Sequence, residues 1–185
     1  MKTLNTYITE KILINKNTNI YSCHPKNKAE LREILVERLK EDKNANLNDI
    51  DVSGITDMGT YNTIFLFEDL DPHNIDISKW NVSNVTNMDG MFFKCKNFNC
   101  DLSQWDVSNV THMANMFYGC QNFNCDLSQW DVSNVTNMFY MFRGCHNFNC
   151  DLNDWNIRNL EDCTWIFHDC PLEKNPPKWY KSYKL

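Results

Sequence analysis

A repeating unit of 25 residues constrains the fold of this 185-residue chain more than any other feature of its sequence. Tryptophan recurs with this period at one position of the unit, and cysteine recurs at two others. The recurring residues are Trp80, Trp105, Trp130 and Trp155, then Cys95, Cys120, Cys145 and Cys170, and finally Cys100, Cys125 and Cys150. In repeat proteins of this period, each unit buries its apolar side against its neighbours. We therefore expect one continuous core running through the repeats.

The unit is complete in the middle of the chain and degenerates at both ends. Residues 101–125 form its best copy, whereas a damaged copy starts at Leu47 and carries an insertion of five residues between Met58 and Leu66. The last copy starts at Asp151 and loses several of the shared residues. Terminal repeats are expected to differ, because they face solvent or a cap instead of a neighbour.

Two kinds of apolar spacing alternate within one copy. Val110, Met113 and Phe117 are three or four residues apart, which is helical spacing, whereas the alternation across residues 98–102 is typical of a strand. The sequence therefore predicts an α/β fold, a leucine-rich-repeat-like solenoid of about five coils. Each coil would hold one short parallel strand and one short helical segment, with equivalent strands about 4.8 Å apart.

Three regions are predicted along the chain. Residues 1–46 precede the repeats, residues 47–172 form the repeat solenoid, and residues 173–185 form a C-terminal cap and basic tail. Within the first region, leucine and isoleucine recur at helical spacing over residues 28–40, which predicts an amphipathic helix. This helix would cap the first coil, and docking to a partner is the alternative role that the sequence leaves open.

The charge and hydropathy of the chain argue against several classes of protein. A formal net charge of −6 argues against a nucleic-acid partner, because phosphate binding needs a basic surface. No stretch approaches the ~18 apolar residues of a membrane span, and the N-terminus does not resemble a secretory signal. We therefore expect a cytoplasmic or virion-associated protein, with a place at the cell surface only through an unrecognised export route.

The nine cysteines are an odd number, so they cannot all pair within one chain. Their recurrence with the repeat and their apolar neighbours favour buried, reduced thiols. A metal site at pairs such as Cys95 and Cys100, or disulfides between stacked equivalents, are the alternatives. The recurring aspartates, such as Asp101 and Asp106, are interpreted as caps of turns, with bound Ca²⁺ as the alternative.

The repeated unit as a whole resembles a known family. Its consensus Asp-Leu-Ser-Gln-Trp-Asp-Val-Ser-Asn-Val-Thr-Asn-Met, followed by Met-Phe and Gly-Cys, resembles the BspA-type leucine-rich repeat over residues 47–172. This repeat occurs in bacterial surface proteins and mycoplasma lipoproteins. The resemblance implies a module for adhesion or recognition and implies no catalytic residues. The surface members are exported, whereas this chain shows no such signal, which favours the intracellular or virion-associated setting.

Columns that vary between copies point to a partner-binding surface, because a position that tolerates many side chains is not needed for the fold. Several of these columns hold aromatic residues or arginine, the types that dominate binding hot spots. The candidate residues are Phe93, Tyr118, Phe139, Tyr140, Arg143, Trp165 and His168. Packing of Phe139, Tyr140 and Trp165 against the C-terminal cap is the alternative.

From these observations we expect a non-catalytic recognition module that binds a protein, cell-surface or virion partner and is a monomer rather than an oligomer. No nucleophile–base motif, phosphate-binding loop or metalloprotease signature is present, so we expect no enzyme activity, no metal and no cofactor. The alternative function is a structural or assembly component, such as a virion or scaffold protein, that associates through the ends of the solenoid.

Overall fold

The computed structural model describes residues 21–59 and 64–183 of the chain. Its regular elements are helix α1 (Lys28–Glu41), the 3₁₀ helix η1 (Pro171–Glu173) and helix α2 (Lys178–Tyr183). Between α1 and η1 the described chain consists of turns and extended segments that repeat with the sequence. Neighbouring repeats meet at isolated parallel bridges and not at strands.

The expected α/β leucine-rich-repeat-like solenoid of five coils is wrong. Within the described residues there is no strand and no sheet, and the two α-helices both lie outside the Trp-containing repeats. Each repeat instead joins the next through a ladder of backbone hydrogen bonds from alternate residues of its turn segment. Between one such pair of neighbouring repeats, the N–H groups of residues 88, 90, 92 and 94 donate to the carbonyls of residues 112, 114, 116 and 118.

The helical segment expected over residues 110–120 is replaced by a run of turns. Asn115 and Gly119 adopt the left-handed region, with φ of 57° and 72°, which an α-helix does not contain. Their N–H groups donate to the carbonyls of Phe139 and Arg143 in the next repeat at 2.8 and 2.7 Å. These bonds between repeats take the donors that a helix would need, so tertiary contacts override the helical spacing.

The strand expected over residues 98–102 is absent for a different reason. The backbone N–H of Leu102 donates to the thiol sulfur of Cys125 at 3.1 Å. A cysteine side chain therefore occupies the place that the carbonyl of a partner strand would take. The β-bridges between successive repeats are isolated pairs, such as Asn87 and His112, and none of them includes residues 98–102.

The core is a set of parallel stacks of identical side chains. The rings of Trp80 and Trp105 lie 6.4 Å apart at an interplanar angle of 7°, and those of Phe92 and Phe117 lie 5.5 Å apart at 8°. The indole Nε1–H of Trp105 donates to the carbonyl of Ile77 at 3.1 Å, so the buried ring has no unpaired polar group. Each of the four stacked repeat tryptophans thus contributes apolar burial and one hydrogen bond to the contact between repeats.

Trp179 in α2 continues the tryptophan stack beyond the last repeat. Its ring lies 6.4 Å from that of Trp155 at 11°, and its Nε1–H donates to the carbonyl of Leu152 at 2.8 Å. The sequence does not reveal this position, because Trp179 follows Trp155 by 24 residues and so departs from the repeat period.

Helix α1 lies where the sequence predicts a helix, and it packs on the first repeat. Asn27 caps its N-terminus by accepting a hydrogen bond from the N–H of Glu30 at 3.0 Å. Leu31, Ile34, Leu35 and Leu39 are its buried residues. The guanidinium of Arg32 donates to three carbonyls of the first repeat, those of Phe65, Leu66 and Glu68, at 2.9, 2.7 and 2.8 Å. The region boundaries after residues 46 and 172 stay predictions.

The recurring aspartates cap turns, as the sequence predicts. Asp101 accepts a hydrogen bond from the N–H of Ser103 at 2.9 Å, and Asp106 accepts from the N–H and hydroxyl of Ser108 at 3.1 and 2.6 Å. These bonds favour the ionised carboxylate, so the pKa of Asp101 lies below its ordinary value of 3.8. The like charges of adjacent repeats are thus offset locally by N–H and hydroxyl dipoles.

We expect the stability of the protein to fall in acid through Asp101 and its equivalents Asp76 and Asp126, whose pKa values are all lowered. Because the folded-state pKa is lowered, their contribution is complete above the ordinary pKa of 3.8 and is lost as the pH falls through the folded-state value. Urea unfolding between pH 7 and pH 3 measures this loss. Asp101→Asn should make the acid dependence shallower, whereas the matched change at exposed Asp154, which accepts no hydrogen bond from a described residue, should leave it unaltered. Equal slopes for both variants would contradict the assignment.

We expect Trp105→Ala to lower the free energy of unfolding by about 3–5 kcal/mol. The side chain is 4% exposed, and its removal leaves a cavity and takes one of the hydrogen bonds from the Ile77 carbonyl. Trp165, which is 51% exposed, provides the control, and its change to alanine should cost less than about 0.5 kcal/mol. Urea denaturation followed by circular dichroism distinguishes the two, and equal losses would show that burial does not set the cost.

Candidate partner-binding surface

Five of the seven candidate residues form one continuous surface, here called the aromatic ridge. The rings of Phe93 and Tyr118 lie 5.0 Å apart, those of Tyr118 and Tyr140 lie 6.1 Å apart, and those of Phe139 and Tyr140 lie 3.8 Å apart. Arg143 is the fifth member. All five are partly exposed, in contrast to the buried phenylalanines of the core. The ridge therefore lies across several repeats on one face of the protein.

Two cations lie on the rings of the ridge. The guanidinium carbon of Arg143 lies 4.7 Å from the centroid of the Tyr140 ring and 5.7 Å from that of Tyr118. The ammonium of Lys94 lies 5.0 Å from the centroid of the Phe93 ring. Cation–π attraction of this kind is worth about 0.5–1 kcal/mol at an exposed site and limits the motion of the cation.

Trp165 and His168 form a separate pair in the last repeat. Their ring centroids lie 4.9 Å apart in an edge-on arrangement, and Trp165 is 51% exposed. The sequence predicts one row of Tyr118, Arg143 and His168. The structure brings Tyr118 and Arg143 together. His168 instead contacts Glu173, with its Nδ1 atom 3.2 Å from the Oε1 atom of the carboxylate.

The ridge has a further aromatic residue that the sequence analysis missed. The ring of Phe65 lies 4.5 Å from that of Phe93. Because Leu66 and Phe67 correspond to Met91 and Phe92, Phe65 belongs to the column of Gly90, and this alignment was the available signal. A Cβ atom at Gly90 would lie 2.0 Å from the Phe65 ring, so a glycine is required beneath it.

One column of the repeat has the left-handed backbone conformation in every described complete copy. The φ angles of Gly90, Asn115, Tyr140 and Trp165 are 64°, 57°, 59° and 57°. Glycine and asparagine adopt this conformation readily, whereas a bulky aromatic residue pays a steric cost of order 1 kcal/mol or more. Gly90 and Asn115 therefore fit this backbone conformation with less strain than Tyr140 and Trp165 do.

The C-terminal cap packs on the core and not on the ridge. Trp179 stacks on Trp155, and the ring of Tyr180 lies 5.2 Å from that of Phe167 in an edge-on contact. Phe139 and Tyr140 contact each other, and Trp165 contacts His168. The described contacts therefore do not support the alternative in which Phe139, Tyr140 and Trp165 pack against the C-terminal cap.

A comparison with known families gives one match. The family described as "Mycoplasma protein of unknown function, DUF285" matches residues 61–179, which is more than half of the chain. The chain belongs to this family. The matched segment of this DUF285 protein includes the whole aromatic ridge, Trp165 and His168. No curated protein and no solved structure matches the chain.

The cysteines of this DUF285 protein take part in its internal hydrogen bonds. None of the nine forms a disulfide, and eight of them are buried, with Cys150 half-buried. The thiols of Cys120 and Cys145 donate to the carbonyls of Phe92 and Phe117 at 3.0 and 2.9 Å. Burial raises the pKa of Cys125 to about 11, so this thiol stays protonated at neutral pH. These features suit structural thiols.

One group of potential metal ligands lies beside the Trp165–His168 pair. Among the described residues, His168, Asp169 and Glu173 offer ligand atoms within 4.8 Å of one another. The carboxylate of Glu173 already contacts His168 and accepts the backbone N–H of Asp169 at 3.0 Å. Hydrogen bonding and ion pairing account for this arrangement.

Within the described segments, no helix is long and apolar enough to span a membrane.

We expect few thiols to react in the native protein and all nine to react after denaturation. The native reaction should begin at Cys150, because it is the least buried cysteine, although its raised pKa of about 11 keeps it slow at neutral pH. Thiol counting with and without denaturant, followed by peptide mapping, measures the order. Cys150→Ser should remove the early phase, whereas a first reaction at Cys120 would contradict the burial shown here.

Proposed function

We propose that this DUF285 protein is a non-catalytic recognition module that binds a protein or surface partner through the aromatic ridge and the separate pair of Trp165 and His168. The observation that carries the proposal is the presence of Tyr140 and Trp165 at left-handed backbone positions. Such strain persists where function needs the side chain and the surrounding structure enforces the conformation.

The composition of the ridge supports binding more than stability. Exposed aromatic rings lower solubility, and a partner surface offsets that cost when it covers them. Tyrosine, tryptophan and arginine also contribute most to hot spots of protein interfaces, because they offer large rigid areas and polar groups together. The ridge offers ring faces and cations, which suit recognition, and we propose no enzyme activity and no cofactor.

The repeat sequence supports the same class of function. Its resemblance to the BspA-type repeat, together with membership of the Mycoplasma family, agrees with an adhesion or recognition role. We keep the cytoplasmic or virion setting and the monomeric state as parts of the proposal. Assembly through the repeat ends has less support, because Arg32 already binds three carbonyls of the first repeat and so occupies one end.

We expect Tyr140→Asn and Trp165→Asn to separate binding from stability. Asparagine is the residue of the sister repeat at position 115, so both variants should melt at or slightly above the wild-type temperature. Capture of partners from a lysate of the encoding organism should weaken at least about tenfold, or roughly 1.4 kcal/mol. Asn115→Gly, a change in the same backbone column without an aromatic ring, is the matched control and should leave capture unchanged.

Two outcomes would contradict the proposal. Early unfolding of Tyr140→Asn would show that the ring stabilises the repeat. Unchanged capture by both variants would show that the recognition surface lies elsewhere on the protein.

A further inference from the structure

The arginines of this acidic protein are almost all engaged by its own groups. Arg32 donates to backbone carbonyls, and Arg38 pairs with the Asp49 carboxylate at 2.6 Å. Arg158 is exposed and interacts electrostatically with Asp131. With a net charge of −6, carboxylates are abundant on the surface, so an arginine without one is informative.

Arg143 differs from these three because neither a carboxylate nor a carbonyl of a described residue engages its guanidinium. Within the described residues, no carboxylate lies within ion-pair distance of its guanidinium, and no carbonyl or side chain accepts a hydrogen bond from it. The rings of Tyr118 and Tyr140 hold the guanidinium carbon at 5.7 and 4.7 Å from their centroids. The planar donor set is therefore positioned by the ridge and has its hydrogen-bonding capacity unused.

We propose that the aromatic ridge binds an acidic segment of a partner protein, with a carboxylate that accepts hydrogen bonds from the Arg143 guanidinium between Tyr118 and Tyr140. This inference rests on the proposed function and names the chemistry of the partner. A guanidinium fork matches a carboxylate in two parallel hydrogen bonds, which gives both affinity and orientation. The neighbouring rings supply apolar contact for the side chains that flank the carboxylate.

A second cation extends the same charge pattern along the ridge. Lys94 lies on the Phe93 ring, two repeats before Arg143, and forms no ion pair with a described residue. Because repeats stack about 5 Å apart and Lys94 precedes Arg143 by two repeats, the two positive charges are offset by roughly 10 Å along the stack. An extended peptide covers this distance in about three residues, so two carboxylates at that spacing can meet both cations.

A carboxylate-bearing protein fits this surface better than a nucleic acid does. Two cations in a protein of net charge −6 give little release of counterions from a phosphate backbone, and long-range repulsion opposes a polyanion of high charge density. A short acidic segment carries fewer charges and brings its own apolar side chains to the rings. An oligonucleotide is therefore the appropriate competing probe.

The experiment is a titration of the full chain with a hexaglutamate peptide, followed by NMR at the arginine Nε–H resonances. We expect the Arg143 signal to shift in wild type and the affinity to fall roughly fivefold or more in Arg143→Gln, with a smaller loss in Arg143→Lys, which keeps the charge but loses the fork. Arg158→Gln, the matched control, should bind as wild type does. Raising the salt concentration should weaken binding to wild type.

The remaining outcomes decide against the inference in distinct ways. Tighter binding of a hexanucleotide than of hexaglutamate would overturn the carboxylate assignment. Equal losses in the Arg143 and Arg158 variants would show nonspecific charge attraction. If hexaglutamate does not bind while wild type still captures a protein that Tyr140→Asn loses, the acidic partner is refuted and the recognition function stands. Circular dichroism melts of each variant confirm that the comparison is between folded proteins.

Discussion

The hydrogen bonds that join each turn segment to the next repeat are the constraint on which the rest of the structure depends. The N–H groups of Gly90 and Phe92 donate forward to Ala114 and Met116 at 2.8 and 2.9 Å, and the same pattern recurs one repeat later. The segment that carries this ladder is left-handed at Gly90 and Lys94, and at Asn115 and Gly119 one repeat later. The ladder therefore sets both the conformation of the turn and the register in which tryptophan, phenylalanine and cysteine stack.

The candidate binding surface follows from the same ladder. Register places Phe93, Tyr118 and Arg143 in successive repeats close to one another, so a row of contacts arises from residues that are distant in sequence. The left-handed position then fixes the backbone at Tyr140 and brings its ring against Phe139 and Arg143. A rigid repeat thus positions a few variable side chains, and the backbone strain at Tyr140 is sustained by the bonds on either side.

The features of the structure that depend on composition and on the repeat period are predictable from the sequence. The helix expected over residues 28–40 appears as α1, the four tryptophans that recur with the repeat and most cysteines are buried, and the aspartates cap turns. In the candidate site, five of the seven residues form one surface. These features depend on side-chain chemistry repeated at a fixed step, which is visible in the sequence.

The features that sequence reasoning got wrong depend on where backbone donors go. Apolar spacing around Met113 suggests a helix, but the N–H groups there bond across repeats, and no side-chain pattern records that choice. Likewise, the thiol of Cys125 takes the place of a strand carbonyl, a role that burial statistics do not reveal. The place of Phe65 in the ridge and the place of Trp179 in the tryptophan stack were not predicted, because an insertion and a shortened spacing move these residues out of the period.

The identical contacts between repeats have a consequence for how such a chain changes over generations. The bonds that join residues 88–94 to 112–118 recur between 113–119 and 137–143, so the interior of the protein contains interchangeable boundaries. Gain or loss of one whole unit at such a boundary leaves helix α1 and the Trp179 end with the same neighbours. Copy number can therefore drift without a new fold, and each added unit contributes further variable positions to the binding surface.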